Sequence, residues 1–179
     1  MSPSASPAAR TTTVSSPSAL ATYALAADLA RVAMPGDLIC LWGELGAGKT
    51  VVAKGFGIGL GILATISSPT FVLMAEYAGR LPLFHIDLYR LANVEDALAG
   101  GLMDERQAAG VTLVEWPERL GAALPTDRLD IRLEGSGEEG RRITIAASTP
   151  ELSRYVAVAL ERNGGASDTP EPSFVDPAT

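Results

Sequence analysis

Residues 37–50 read DLICLWGELGAGKT. The apolar run from Asp37 to Trp42 predicts a short buried strand, and KTVVAKGFGIGLG beyond the glycines predicts a helix, although Gly55, Gly57 and Gly59 weaken that expectation. Between the two, Gly43 to Thr50 fits G-x-x-x-x-G-K-[ST], the loop that cradles phosphates in nucleotide hydrolases and kinases. Strand, glycine loop and helix in that order are what the motif requires. Consecutive backbone N–H groups and a helix N-terminus then face one point, so an anion there meets donors and the positive end of a dipole. Gly46 and Gly48 let the backbone come close, Lys49 is expected to reach β and γ phosphates, and the Thr50 hydroxyl to join a Mg2+ shell. The candidate ligand is ATP with Mg2+. The candidate binding residues are Gly43, Glu44, Leu45, Gly46, Ala47, Gly48, Lys49, Thr50 and Val51.

Working outward, 179 residues with 47% hydrophobic content suit a single enzyme-sized domain with a buried core. One cysteine, Cys40, rules out a disulfide framework or a Cys-based metal site within the chain, and a reducing cytosol is expected. The longest apolar candidate, Ala19 to Met34, is broken by Asp28 and Arg31, so no transmembrane span is expected. The opening MSPSASPAARTTTVSSPS lacks an apolar stretch for a secretory signal, and residues 1–17 read as a disordered tail. The net charge is −7. Arg10 is the one charged residue of 1–17, and Asp168, Glu171 and Asp176 are those of 163–179, so the middle is itself acidic. That argues against a large phosphate-binding face: neither DNA nor direct, tight RNA binding is expected.

The folded part is expected at 18–162, followed by an acidic disordered tail at 163–179. Leu20, Tyr23, Ala24, Ala27 and Val32 recur at helical steps after Ser18 as N-cap, and MPGD stops that helix. TFVLMAEYA and RLPLFHIDLYRL about Gly79-Arg80 read as a hairpin or adjacent strands. NVEDALAGGLMDERQA is helical in part, with Asn93 as N-cap and Asp96 at the capping-box position. VTLVEW is a short strand. RLDIRLE and RRITIAA alternate around Gly135-Ser136-Gly137 as a hairpin, and PELSRYVAVALERN closes as an amphipathic helix. The whole predicts an α/β, P-loop NTPase-like three-layer fold: a central, mostly parallel sheet with an antiparallel C-terminal hairpin.

A Mg-nucleotide site also needs a carboxylate from a neighbouring strand end. LFHID ends at Asp87 and VTLVE at Glu115; one could hold the metal while the other orients or deprotonates water, and each alone could equally be an acid facing solvent. In SSPT, Pro69 biases Ser68 toward extended geometry and leaves Thr70 at a strand entrance, to sense a γ-phosphate or to bond its own turn. His85, the sole histidine, shares a strand face with Asp87 by alternation and reads first as structural. Trp42 and Trp116 read as core or rim aromatics, and Arg90 could pair an acid or approach a phosphate.

In this order GELGAGKT, SSPTF, HIDLYRL and LVEWPERL resemble the TsaE family, also called YjeE, over most of Ser18 to Leu120. The resemblance implies a small bacterial P-loop ATPase needed to make threonylcarbamoyladenosine, a modified base next to the anticodon of ANN-reading tRNAs. It implies phosphates at Gly43 to Thr50, a switch-like Thr70 and catalytic duties for Lys49, with Asp87 and Glu115 at Mg2+ and water. It adds weight to His85, Arg90 and Trp116 as site residues. Glu44 and Val51 stand where the family usually has Asp and a second Thr. The resemblance further implies a cytoplasmic auxiliary to TsaD and TsaB that meets tRNA only through them. That accommodates the acidic charge. The alternative from the residues is a small-molecule kinase, although its usual Arg-rich lid is matched only by Arg141-Arg142 in a hairpin. A nucleotide-gated binding module without turnover is the third reading.

Overall fold

A computed structural model of the chain describes residues 10–135 and 140–164. Its strands are β1 (Arg10–Ser16), β2 (Leu38–Trp42), β3 (Met74–Tyr77), β4 (Leu83–Asp87), β5 (Val111–Glu115), β6 (Leu129–Glu134) and β7 (Arg141–Ala147). Its α-helices are α1 (Ala19–Ala30), α2 (Lys49–Gly59), α3 (Val94–Ala99) and α4 (Ser153–Arg162). The strands form one seven-stranded sheet in the order β1-β7-β6-β2-β5-β4-β3. At its centre β6, β2, β5 and β4 run parallel, while β3 on β4, and β7 on both β6 and β1, are antiparallel. The expected α/β architecture with its C-terminal hairpin is what is found, and the hairpin tip at 136–139 lies outside the described residues.

Every residue of β2, β4 and β5 is buried, as parallel strands covered on both faces must be. Alternation divides them. Ile39 and Leu41 of β2 join Leu113 of β5 and Ile131 of β6 under α1, α2 and α4, while Leu38, Cys40 and Trp42 pack on the other face with Leu102, Leu120 and Leu124. The second face is covered more thinly, by α3 and the 3-10 helices Glu105–Ala109 and Pro117–Ala123. Fully buried Phe56 of α2 alone contributes about 1.5–3 kcal/mol relative to exposure.

Ser18 caps α1 as expected, its side chain accepting from the Ala21 N–H at 3.1 Å. The buried stripe of α1 is Thr22, Leu25, Ala26, Leu29 and Ala30, not the stripe read from Leu20, which is 75% exposed. The helix α2 lies against the Tyr23 and Ala27 side of α1, where backbone meets backbone and the two side chains stay half-buried. A Cβ on Gly55 would stand 2.2 Å from the Tyr23 carbonyl oxygen, and one on Gly59 would stand 2.3 Å from that of Ala27. The glycines that weakened the helical expectation are what allow two helices to meet backbone to backbone.

The first strand corrects the expected N-terminal tail. Residues 10–16 pair with β7 over their whole length, from Arg10 opposite Ala147 to Ser16 opposite Arg141. Thr12, Val14 and Ser16 turn inward and are 7%, 5% and 2% exposed. Residues 1–9 of that tail and 165–179 of the C-terminal one lie outside the described residues. The last helix, α4, is tied to the start of β2: Arg154 and the Tyr155 hydroxyl both donate to the Asp37 carboxylate, the latter at 2.5 Å. Burial pushes the Tyr155 phenol up, so it stays a donor.

Candidate functional site

The loop leaves β2 at Gly43 and enters α2 at Lys49. Gly46 and Gly48 sit in left-handed backbone, at φ of 80° and 106°. A Cβ at Gly46 would meet nothing within 4 Å, so conformation rather than space demands glycine there. Gly48 is also the N-cap of α2 and offers no side chain to its first turn, whose N–H groups head the loop. From β7, the Arg141 guanidinium donates to the Ala47 carbonyl at 2.8 Å and reaches that of Gly46 at 3.4 Å. Because C=O and N–H point oppositely across a peptide plane, pinning the Ala47 carbonyl outward turns the Gly48 N–H inward. Leu45 is 70% exposed and the Val51 side chain is half-buried.

Lys49 is buried, and its ammonium donates to the carbonyls of Gly43 and Glu44, the latter at 2.9 Å. It also stands 3.8 Å from the centre of the Trp116 ring. Burial holds its pKa below the ordinary lysine value, opposed in part by the carboxylates of Glu115, Glu118, Asp87 and Glu44. Trp116 itself has φ of 61°, rare for a residue with a side chain, and this turn off the end of β5 sets its ring between Lys49 and Tyr89, whose ring centre is 5.0 Å away.

The two acids are register partners at the ends of β4 and β5, each 3% exposed. Their surroundings differ. Asp87 accepts from the hydroxyl of Ser68, from that of Thr70 at 3.0 Å and from the Tyr89 N–H at 2.9 Å. Glu115 accepts from the Thr50 hydroxyl at 3.3 Å and lies 2.9 Å from His85 Nε2. Lys49, Thr50, Thr70, Asp87 and Glu115, from four separate segments of the sequence, thus converge where the parallel strands end.

Arg90 is not brought in: its guanidinium lies over the exposed Phe71 ring, 4.7 Å from the centre. Two contributors escaped the sequence reading. In SSPT the sequence points only to the Ser68 backbone, whereas its hydroxyl bridges Thr70, at 2.8 Å, and Asp87. Arg141 stands out in the sequence only as half of an arginine pair in a hairpin, since its contact with the loop spans 94 residues.

The oxygen donors present suit Mg2+, which takes few protein carboxylates and keeps several waters. A threonine hydroxyl and two strand-end carboxylates are hard oxygen ligands, and among the described residues no group of three or more His, Cys, Asp or Glu is placed as a closed metal cage. Beside the loop opens a cleft of about 650 Å3, walled by Trp42, Leu45, Trp116, Arg132 and Glu134.

Comparison with known proteins agrees with the motif resemblance. The family model for "Threonylcarbamoyl adenosine biosynthesis protein TsaE" matches residues 16–143. The tRNA threonylcarbamoyladenosine biosynthesis protein TsaE of Bacillus subtilis is 44% identical over 127 residues, covering 70% of this chain and 79% of that protein. Its counterpart in Treponema pallidum is 43% identical over 116 residues, covering 65% and 86%. The crystal structure of Bacillus subtilis YdiB matches with a TM-score of 0.70 and 33% identity, covering 86% of this chain and 97% of that one.

Proposed function

The chain belongs to the TsaE family, and from that premise we propose that it is a Mg2+-dependent ATPase that assists a TsaD and TsaB assembly in threonylcarbamoyladenosine modification of tRNA. The observation that carries the ATPase reading is the convergence of Lys49, Thr50, Asp87 and Glu115 at one loop and two strand ends.

The Gly43–Thr50 loop binds the phosphates through its N–H groups, with Lys49 as the cation, and the cleft beside Trp42 and Arg132 offers room for the nucleoside. Thr50 and Glu115, already within 3.3 Å of each other, hold Mg2+. When bound, the metal neutralises charge developing on the phosphates. Asp87, bonded to Thr70 and Ser68 on a separate segment, orients the attacking water and takes its proton. Thr70 senses the γ-phosphate from that segment. Partner proteins meet the tRNA, in the cytoplasm, which leaves this acidic chain no nucleic-acid face to supply. Among the described residues no helix is long and apolar enough to cross a membrane.

The deciding experiment is phosphate release from ATP by the purified chain, with Mg2+ and with EDTA. Release that needs Mg2+ and is lost in Lys49→Ala supports the reading. A folded protein that neither binds nor hydrolyses ATP would overturn it, and phosphate transfer to an added acceptor instead of water would make it a kinase.

A further inference from the structure

His85 is fully buried in β4, on the face it shares with Leu83 and Asp87. Its strand neighbour across the ladder is Leu113, so Glu115 lies diagonally from it, one step nearer the strand end. The imidazole Nε2 stands 2.9 Å from Glu115 Oε1, the same oxygen that the Thr50 hydroxyl meets at 3.3 Å. A carboxylate can only accept, so Nε2 carries the hydrogen in this pair. The other ring nitrogen, Nδ1, is buried and has no hydrogen-bond partner within the described structure. A leucine would fill a similar space without burying an unpaired polar atom, so packing alone does not call for histidine. What the imidazole supplies is the one bond to Glu115.

We propose that His85 is a positioning residue for Mg2+: by donating from Nε2 to Oε1 it fixes the rotation of the Glu115 carboxylate so that both of its oxygens face Thr50. The distances from Thr50 Oγ1, 3.3 Å to Oε1 and 3.5 Å to Oε2, are those of a carboxylate held face-on. Groups that hold a metal ligand from behind reduce the ordering needed when the ion binds, and their loss costs about 10- to 100-fold in affinity. This deepens the ATPase reading and rests on Glu115 as a metal ligand.

The test is Mg2+ titration into the full chain saturated with ADP, followed by calorimetry, with ADP affinity in EDTA measured beside it. Glutamine can place an amide N–H where Nε2 stands; asparagine and leucine cannot. His85→Leu and His85→Asn should lower Mg2+ affinity about 10- to 100-fold with ADP affinity in EDTA unchanged, and His85→Gln should stay close to wild type. Because the chain has a single histidine, 15N labelling gives a second reading without assignment: the Nε2–H signal should shift on adding Mg2+ to the ADP complex, and be lost in Glu115→Ala. Should His85→Leu fail to fold, the glutamine and asparagine variants decide alone. Equal Mg2+ affinity in all variants, or glutamine falling with asparagine, overturns the proposal while leaving the ATPase reading intact. Wild-type protein that binds neither ADP nor Mg2+ overturns both.

Discussion

Asp87 and Glu115 are direct partners in the register of β4 and β5, yet among the described residues no donor is shared between the two carboxylates: Ser68, Thr70 and Tyr89 serve one, Thr50 and His85 the other. The two acids are therefore attached to different parts of the fold, Glu115 to the first turn of α2 and Asp87 to the segment around Thr70. Neutralising them should have separable effects. Asp87→Asn should lower ATP turnover about 10²- to 10⁴-fold while leaving Mg2+ and nucleotide binding in place. Glu115→Gln should lose turnover together with at least about tenfold in Mg2+ affinity. Steady-state phosphate release and Mg2+ titration of the ADP complex read the difference, and wild-type turnover in either variant would remove that residue from the chemistry.

Burial lowers the pKa of Lys49 from the ordinary 10.5. The ammonium is the form that attracts phosphate, so the ATP association constant of the wild-type chain should fall as pH rises through that lowered value, about tenfold per pH unit beyond it. Lys49→Arg keeps its charge throughout and should bind with no such decline. Calorimetry between pH 7 and 10.5 distinguishes the two, and a wild-type profile as flat as that of the arginine variant would count against a buried lysine.

Arg141 acts on the loop from outside, through the carbonyls of Ala47 and Gly46. Its removal leaves Lys49, Thr50 and the loop N–H groups present but lets the peptide planes turn. Arg141→Met should weaken ATP binding by about 1.5–3 kcal/mol, the usual worth of a hydrogen bond from a charged donor, with little change in turnover at saturating ATP. Arg141→Lys should recover only part, since a single ammonium cannot reproduce the guanidinium's directed donors. An ATP affinity equal to wild type in both variants would leave Arg141 as a sheet residue only.

The α1–α2 contact gives a prediction on stability. Alanine normally favours a helix by about 1 kcal/mol over glycine. At Gly55 and Gly59, however, the added Cβ would come within 2.2 and 2.3 Å of backbone oxygens of α1. Gly55→Ala and Gly59→Ala should each destabilise the fold by about 1–3 kcal/mol, as overpacking does, and Lys54→Ala on the exposed side of α2 should not. Thermal unfolding checks this; a higher melting temperature for the glycine variants would mean the helices can part.

What was legible in the sequence is what is local. The β2–loop–α2 unit, the Ser18 and Asn93 caps and the acids that end β4 and β5 all follow from periodicity, capping and turn chemistry within a few residues. The first strand was not, because RTTTVSS reads by composition as a polar tail until its partner β7, more than a hundred residues on, supplies the ladder. Likewise alternation put His85 on the face of Asp87, but which acid it touches depends on the stagger of β4 against β5. Ser68 reaches Asp87 from a segment without regular structure, where no period exists to read.

The last prediction is that the lone protein hydrolyses ATP slowly and that TsaD and TsaB accelerate it. Efficient P-loop hydrolases commonly add an arginine to the transition-state charge, a contribution of about 10³ to 10⁵ in rate. Arg90 follows Asp87 by three residues, but its guanidinium is stacked on Phe71, and Arg141 is engaged with the loop carbonyls. Neither arginine joins Lys49 and Mg2+ in carrying that charge. The second shortfall is positional. Thr70 is held by Asp87 and Ser68 on a turn, and three residues on, Leu73 has φ of 62°, a left-handed conformation that costs a branched side chain about 1–3 kcal/mol unless its surroundings hold it. A partner that relieved this strain on docking would thereby bias the conformation of the segment. Partners that fix the segment, or supply the missing cation, would couple ATP turnover to a reset of the transferase after each tRNA. Steady-state phosphate release should rise at least several-fold on adding TsaD and TsaB, the modest end of such activation, and Thr70→Ala should remove the gain. A rate already high for the chain alone, and indifferent to both proteins, would reject this coupling and favour the kinase reading.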